Sequence, residues 1–365
     1  MPGIRSGSIT AFYLFDVAEA VHLSQVAALV GGATMPARLA PKPPMPTSIQ
    51  YQQPPVAIDG AVAGVADVDG FRARFKVFDY GVVSLALTRP FSGSWDELIA
   101  ASRRWIANAA LERAAEGACR RLLDRIAAAT QDPHATFVSE DYLVLTVTAL
   151  DVPLTGDELL AAHGDEITRA VRGESQPLSA QEREDVLRNR ISYYANDLVV
   201  PTWNVAFLYD TEAGEPAAME IVEFANSQLL EFRHYDQRLD TELSRIYATL
   251  QAPPRWLEIW RGRRYTRAAR QLHSLLIDVN EVTDRAENAL KFVGDVYAAR
   301  VYVLVGARLG LNHWKANVHE KLKTLDDIYR FAVEQTAMER GEFLELAIVA
   351  ILVLELILFF MGVMK

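Results

Sequence analysis

From Leu346 to Met364 the chain reads LAIVAILVLELILFFMGVM, nineteen residues with one charge, Glu355, and only Lys365 beyond. At about 1.5 Å rise per residue such a helix is roughly 28 Å long, close to the thickness of a bilayer's hydrocarbon core. The run predicts a single transmembrane anchor over 344–365, with the remaining folded mass on one side of the membrane. The N-terminus, MPGIRSGSITAFYLFDVAEAV, does not read as a secretory signal, because Asp16 and Glu19 interrupt its apolar stretch. Residues 1 to about 343 are therefore expected in the cytoplasm. Thirty arginines against seven lysines suggest a GC-rich genome and hence a bacterium, which places the anchor in the inner membrane.

A chain of 365 residues has room for about two domains. Half of the residues are hydrophobic and 23% charged, which excludes wholesale disorder. The formal net charge of -10 argues against nucleic acid as a partner, unless a local basic strip provides the contact. The single cysteine, Cys119, rules out an intrachain disulfide, and its Ala/Arg/Leu-rich setting predicts a buried, inert thiol on a helix.

The first two hundred residues alternate between strand and helix signals. Residues 8–17 read as a strand and 22–30 as a short helix. The Pro-rich stretch 36–55 reads as an extended connection with one edge strand. In 71–77 apolar Phe71, Ala73, Phe75 and Val77 alternate with Arg72, Arg74 and Lys76, the pattern of a half-buried strand, and a turn near Tyr80-Gly81 pairs it with the next strand. Ser94 and Glu97 form a capping box that opens a helix over 94–130. Strand composition returns at 134–151, polar helices follow over 156–190, and strands flank Pro201. Long helices are predicted over 215–250, 254–311 and 312–364, with Pro253-Pro254 as a stop and start. In the last of these Leu311, Trp314, Val318, Leu322, Leu325 and Tyr329 make a coiled-coil-like seam. The predicted class is thus α+β. A mixed, mainly antiparallel sheet with helices occupies 1–211, a long-helix hairpin or coiled-coil stalk occupies 212–343, and the anchor occupies 344–365.

Signatures of chemistry are sparse. There is no phosphate-binding Gly-Lys-Ser/Thr loop, no dinucleotide glycine turn and no Gly-x-Ser-x-Gly. The seven histidines, at 22, 134, 163, 234, 273, 313 and 319, are scattered and read as structural or exposed, and His313 and His319 project about 120° apart on a helix. No catalytic residue, cofactor or metal ligand is expected, and an enzyme is not expected. The strip RWLEIWRGRRYTRAARQLH carries Arg261, Arg264, Arg267 and Arg270 with interleaved aromatics. It can hold phosphates of RNA or lipid, bind a partner protein, or form an ion-pair seam with Glu223, Glu231, Asp236, Asp240 and Glu242 on the preceding helix. Gly306 and Gly310 read as tight packing or a helix break. Glu355, at the middle of the apolar run, costs about 2.5–3.5 kcal/mol on insertion scales. It reads as an oligomer contact, a site on an ion path, or a protonated carboxyl facing lipid.

Two short motifs resemble the Rmd/YagE-like family, relatives of a mitochondrial protein required for meiotic nuclear division. Leu344-Glu345 is followed ten residues later by Glu355, with Arg340 upstream, although Leu346 stands where that family commonly has an aromatic. Phe78-Asp79-Tyr80-Gly81-Val82-Val83 resembles the family's strand turn, with Leu85 and Leu87 where an aromatic is usual. The resemblance implies a membrane-anchored, oligomer-forming, non-enzymatic protein, with Glu345 and Glu355 at the membrane or oligomer contact. By analogy with mitochondrial relatives it also implies a partner protein, ribosome-associated. The expected function is a tail-anchored scaffold at the inner membrane whose partners are the lipid bilayer and further copies of itself. The alternative is a subunit of a ring-shaped ion-conducting assembly.

Overall fold

The computed structural model describes residues 3–30, 34–36, 54–60, 70–251, 277 and 296–360. The chain divides into two compact units, Met1–His234 with Arg285–Trp314, and Tyr235–Asp284 with Lys315–Lys365. In the first unit β1 (Ile4–Val21), α1 (Leu23–Val30), β2 (Thr34–Pro36), β3 (Val56–Asp59), β4 (Arg72–Val77) and β5 (Val82–Gly93) come first. They are followed by α2 (Trp95–Trp105), α3 (Ala109–Ile126), β6 (Thr130–Leu150), α4 (Gly156–Arg172), α5 (Ala180–Arg188), β7 (Leu198–Pro201) and β8 (Val205–Tyr209). Among the described residues these strands form one eight-stranded sheet in the order β2-β3-β4-β5-β1-β6-β8-β7. Neighbours are antiparallel except β6 and β8, which run parallel. The class is α+β with a mixed sheet, as the strand signals predict.

β1 lies at the centre, paired with β5 on one side and β6 on the other. Both of its faces are covered, so its sequence is apolar almost without alternation. Ile9, Ala11, Tyr13 and Phe15 face an apolar core shared with α1 to α5. Thr10, Phe12, Leu14 and Asp16 point to the opposite face and are also buried. Cys119 is buried in the first core, and burial pushes its thiol far above the usual range.

Two expectations need correction. The helix predicted over 94–130 is two helices. Ala107 adopts φ 49 between them, and the Asn108 side chain accepts hydrogen bonds from the amides of Ala110 and Leu111, opening α3 afresh. The break lets Trp105 sit buried, its ring edge-on to Phe71 at 4.8 Å. Asn108→Ala should cost about 1 kcal/mol and lower the melting temperature by roughly 2–4 °C, readable by thermal unfolding. The second correction is Lys76. The β4 alternation predicts a solvent-facing lysine, yet Lys76 is buried, because the face opposite the apolar core is also covered.

Three long helices complete the described residues: α6 (Glu215–Gln251), α7 (Val296–Leu309) and α8 (Leu311–Phe360). α6 up to His234, together with α7, belongs to the first unit. Gly310 (φ 72) separates α7 from α8, and a Cβ on Gly306 would stand 2.9 Å from Leu311 Cδ1, so this glycine pair serves a helix break and tight packing. In the second unit Lys321 of α8 pairs with Asp236 (2.8 Å) and Asp240 (2.7 Å) of α6. The seam residues Val318, Leu322 and Leu325 are buried, so α6 of the same chain lies beside the seam. The Pro253-Pro254 turn lies outside the described residues. Among the described residues no helix is long and apolar enough to cross a membrane. The anchor expected over 344–365 extends past the described residues, which on α8 end at Phe360.

Candidate functional site

α6 crosses the sheet face opposite α1 to α5, and the layer beneath it mixes apolar side chains such as Phe12 and Leu14 with an unusual number of polar ones. Glu220, Glu223, Ser227 and His234 recur at steps of three, four and seven residues, one face of a helix. A helix on a sheet normally buries an apolar stripe. Here the buried residues of α6 include Glu223, Asn226, Ser227, Gln228 and Glu231. Buried polar groups need partners, and most of this layer has them.

The first cluster joins β4 to α6. Lys76 Nζ binds Glu223 directly and lies 3.5 Å from Glu220. Burial alone would lower the Lys76 ammonium, but the two carboxylates outweigh it and hold its pKa above the usual value. Glu220 moves the other way from a well-matched acid: burial raises it, and the lysine only partly compensates. The second contact comes from the turn after β4. Tyr80 is half-buried, and its hydroxyl lies 2.7 Å from Ser227 Oγ. Since Ser227 Oγ donates to the Phe224 carbonyl (2.8 Å), Tyr80 is the donor of that pair. Burial pushes the Tyr80 phenol well up. The turn depends on Gly81, whose φ is 90 and whose carbonyl accepts from the Val17 amide at 3.0 Å.

The third cluster gathers Asp16 of β1, His134 of β6 and His234 of α6. His134 Nε2 lies 3.3 Å from Asp16 Oδ1, and His234 Nδ1 contacts Asp16 Oδ2. The imidazole rings stack with centroids 4.8 Å apart and planes 18° apart. One donor atom from each residue fits within a 4.8 Å span. The Asp16 side chain is 3% exposed and each histidine 16%. Burial raises the Asp16 carboxyl, but hydrogen bonds and charge from both imidazoles prevail and hold it below the usual range. Local chain geometry explains the convergence. Asp16 pairs with Val138, but two residues on Ala18 pairs with Pro133, so β6 carries three extra residues at this point. Asp132, at φ 47, marks the base of this bulge. His134 therefore leaves the strand register beside Asp16. Beyond it, Arg233 next to His234 pairs with Glu140 of β6. Three donors of this kind can hold a divalent cation, or form a hydrogen-bonded set in which a carboxylate orients two imidazoles.

The residues singled out by sequence fall elsewhere. Arg261, Arg264, Arg267 and Arg270 lie outside the described residues. The acids expected opposite them have other cations: Glu223 has Lys76, Asp236 and Asp240 have Lys321, and Glu242 has Arg245. Glu345 and Glu355 are both exposed on α8. His273 lies outside the described residues, and the spacing that makes the seven histidines read as scattered does not show that His134 and His234 meet at Asp16. They are 100 residues apart, and no local spacing links them. The available signal was Asp16, an acid within the apolar run FYLFDV of a central strand, which a buried position obliges to find a partner. Of the others, His163 is buried and stacked on Trp95 at 4.7 Å, and His22, His313 and His319 are exposed.

A family model described as "Uncharacterized protein MJ0711, N-terminal domain" matches residues 6–216. The protein of that name from Methanocaldococcus jannaschii is 24% identical over 205 residues, 55% of this chain and 61% of its own length. The chain thus spans less than two thirds of that relative. No solved structure matches. The match corrects the resemblance to the Rmd/YagE-like family. That resemblance rested on a pair of glutamates ten residues apart and a six-residue turn, whereas the match runs through β1 to β8. The turn has a local cause: Gly81 takes a positive φ between strands rich in Val and Phe. The ribosome-associated partner rested on the resemblance alone and loses its basis with it. Asp16, His134 and the Gly81 turn lie within the matched residues, and His234 lies beyond them.

Proposed function

The chain belongs to the MJ0711 N-terminal domain family, and from that premise we propose that it is a membrane-anchored protein that holds its α+β body at a lipid bilayer through residues 344–365 and self-associates there. The carrying observation is the surface of α8. Ile348, Val349, Ile351, Leu352, Val353, Leu354, Leu356 and Ile357 are each 48–58% exposed. At about 100° per residue these positions surround the helix rather than forming one stripe. A helix that is apolar all round belongs in an apolar solvent or a large core. The nineteen-residue apolar sequence supports the first of these. Glu355, exposed among these side chains, supports self-association, because a carboxyl in hydrocarbon is best satisfied by a polar group on another copy.

Fractionation tests the anchor. The full chain should remain in the membrane pellet through a carbonate wash, and a chain ending at Arg340 should be released. A full chain that is soluble without detergent, as a helical bundle, would overturn the bilayer reading. Self-association has its own measurement. In mild detergent Glu355→Gln should keep the oligomer, while Glu355→Leu should weaken it by about 1–2 kcal/mol per contact. An oligomer unchanged in the Leu variant by light scattering would remove Glu355 from the contact.

A further inference from the structure

We propose that Asp16, His134 and His234 form a binding site for one divalent transition-metal ion of the zinc type. The site lies on the sheet unit and does not depend on the membrane reading. Its donors come from three separate elements, a central strand, a bulge and a helix, and converge to a 4.8 Å span. Around an ion with bonds of about 2.0–2.2 Å, donor atoms stand roughly 3–3.5 Å apart, and the His134–Asp16 separation of 3.3 Å already has that value.

The competing arrangement is a purely hydrogen-bonded set, in which each imidazole donates one N–H to the carboxylate. An imidazole nitrogen is equally a ligand for a transition-metal ion. One divalent ion then meets all three donors at once, and the buried carboxylate gains a full counter-charge. Asp16 Oδ2 is fully buried against His234 and Oδ1 lies beside His134, so the carboxylate presents one oxygen to each imidazole. The donor set selects the ion. Two imidazoles and one carboxylate suit zinc and its first-row neighbours, while magnesium and calcium favour all-oxygen sites. Three protein donors leave at least one coordination position for water or an external ligand.

Zinc is the probe. The full chain, purified in mild detergent and stripped with chelator, should take up one equivalent of Zn2+ in calorimetry, and its melting temperature should rise with the ion. Co2+ in its place should give the visible absorption of a nitrogen- and oxygen-ligated site. Asp16→Asn, His134→Gln and His234→Gln should each weaken zinc binding at least 100-fold, and His313→Gln on the exposed face of α8 should not. Wild-type protein whose melting temperature responds neither to Zn2+ nor to chelator, and which binds no stoichiometric zinc, would overturn the site in favour of the hydrogen-bonded set. Zinc uptake that survives all three substitutions, or that is lost in His313→Gln, would overturn it too. This wild-type readout holds even where a variant fails to fold.

Discussion

Gly81→Ala should destabilise the sheet unit by about 3–5 kcal/mol, combining the cost of a side chain at positive φ with that of overpacking. The residue sits at φ 90 in the turn between β4 and β5. A Cβ built there stands 1.7 Å from the Ala18 carbonyl oxygen, which is backbone and cannot swing aside. The turn is pinned to β1 by two hydrogen bonds, Val17 N–H to Gly81 O and Val21 N–H to Asp79 O, so relieving the clash breaks both. Gly310→Ala is the matched control, because Gly310 has a similar φ of 72 but nothing within 4 Å of its would-be Cβ. That variant should cost only about 1 kcal/mol. In thermal unfolding the first substitution should lower the midpoint by roughly 10 °C and the second by a few degrees. Equal losses would mean that the turn yields and that only the backbone angle matters.

The parts of the fold that were legible in sequence are those with a local cause. The β4–β5 hairpin announces itself through alternation and Tyr80-Gly81, and α6 and α8 through their long helical periods. Ser94 and Glu97 form the expected capping box. The α2–α3 break is local too, but an Asn in an alanine-rich stretch also fits a continuous helix, and packing of Trp105 decides between them. The polar layer was not legible because its cause is tertiary. Lys76 alternates like any solvent-facing strand residue, and Glu220, Glu223 and Ser227 look like the wet side of an amphipathic helix. Only the crossing of α6 over the second face turns both into buried groups. The Asp16, His134 and His234 cluster adds a bulge that no propensity signals.

Lys76→Met should destabilise the same unit by about 3–5 kcal/mol, the usual cost of removing one partner of a buried ion pair. The lost attraction is the smaller part of this. Glu223 is 7% and Glu220 12% exposed, and without the ammonium two adjacent carboxylates are left where water does not reach. Removing both charges of the direct pair should therefore recover much of the loss, so Lys76→Met with Glu223→Leu should be more stable than Lys76→Met alone. Glu220→Gln should cost little by comparison, since burial already raises that carboxyl and weakens the case for its charge. The pH dependence has a definite sign. In the wild type the Lys76 pKa lies above its ordinary 10.5, so its contribution is full below that value and is lost as pH rises through the folded-state pKa. In Lys76→Met the Glu220 carboxyl, already raised by burial, loses the lysine that offsets it, so protonation favours the folded state and the penalty shrinks as pH falls. The variant should lie closer to wild type at pH 5 than at pH 8 in denaturant unfolding. A penalty independent of pH would show that Lys76 acts through its packing volume, and would remove the ion pair from the stability of the polar layer.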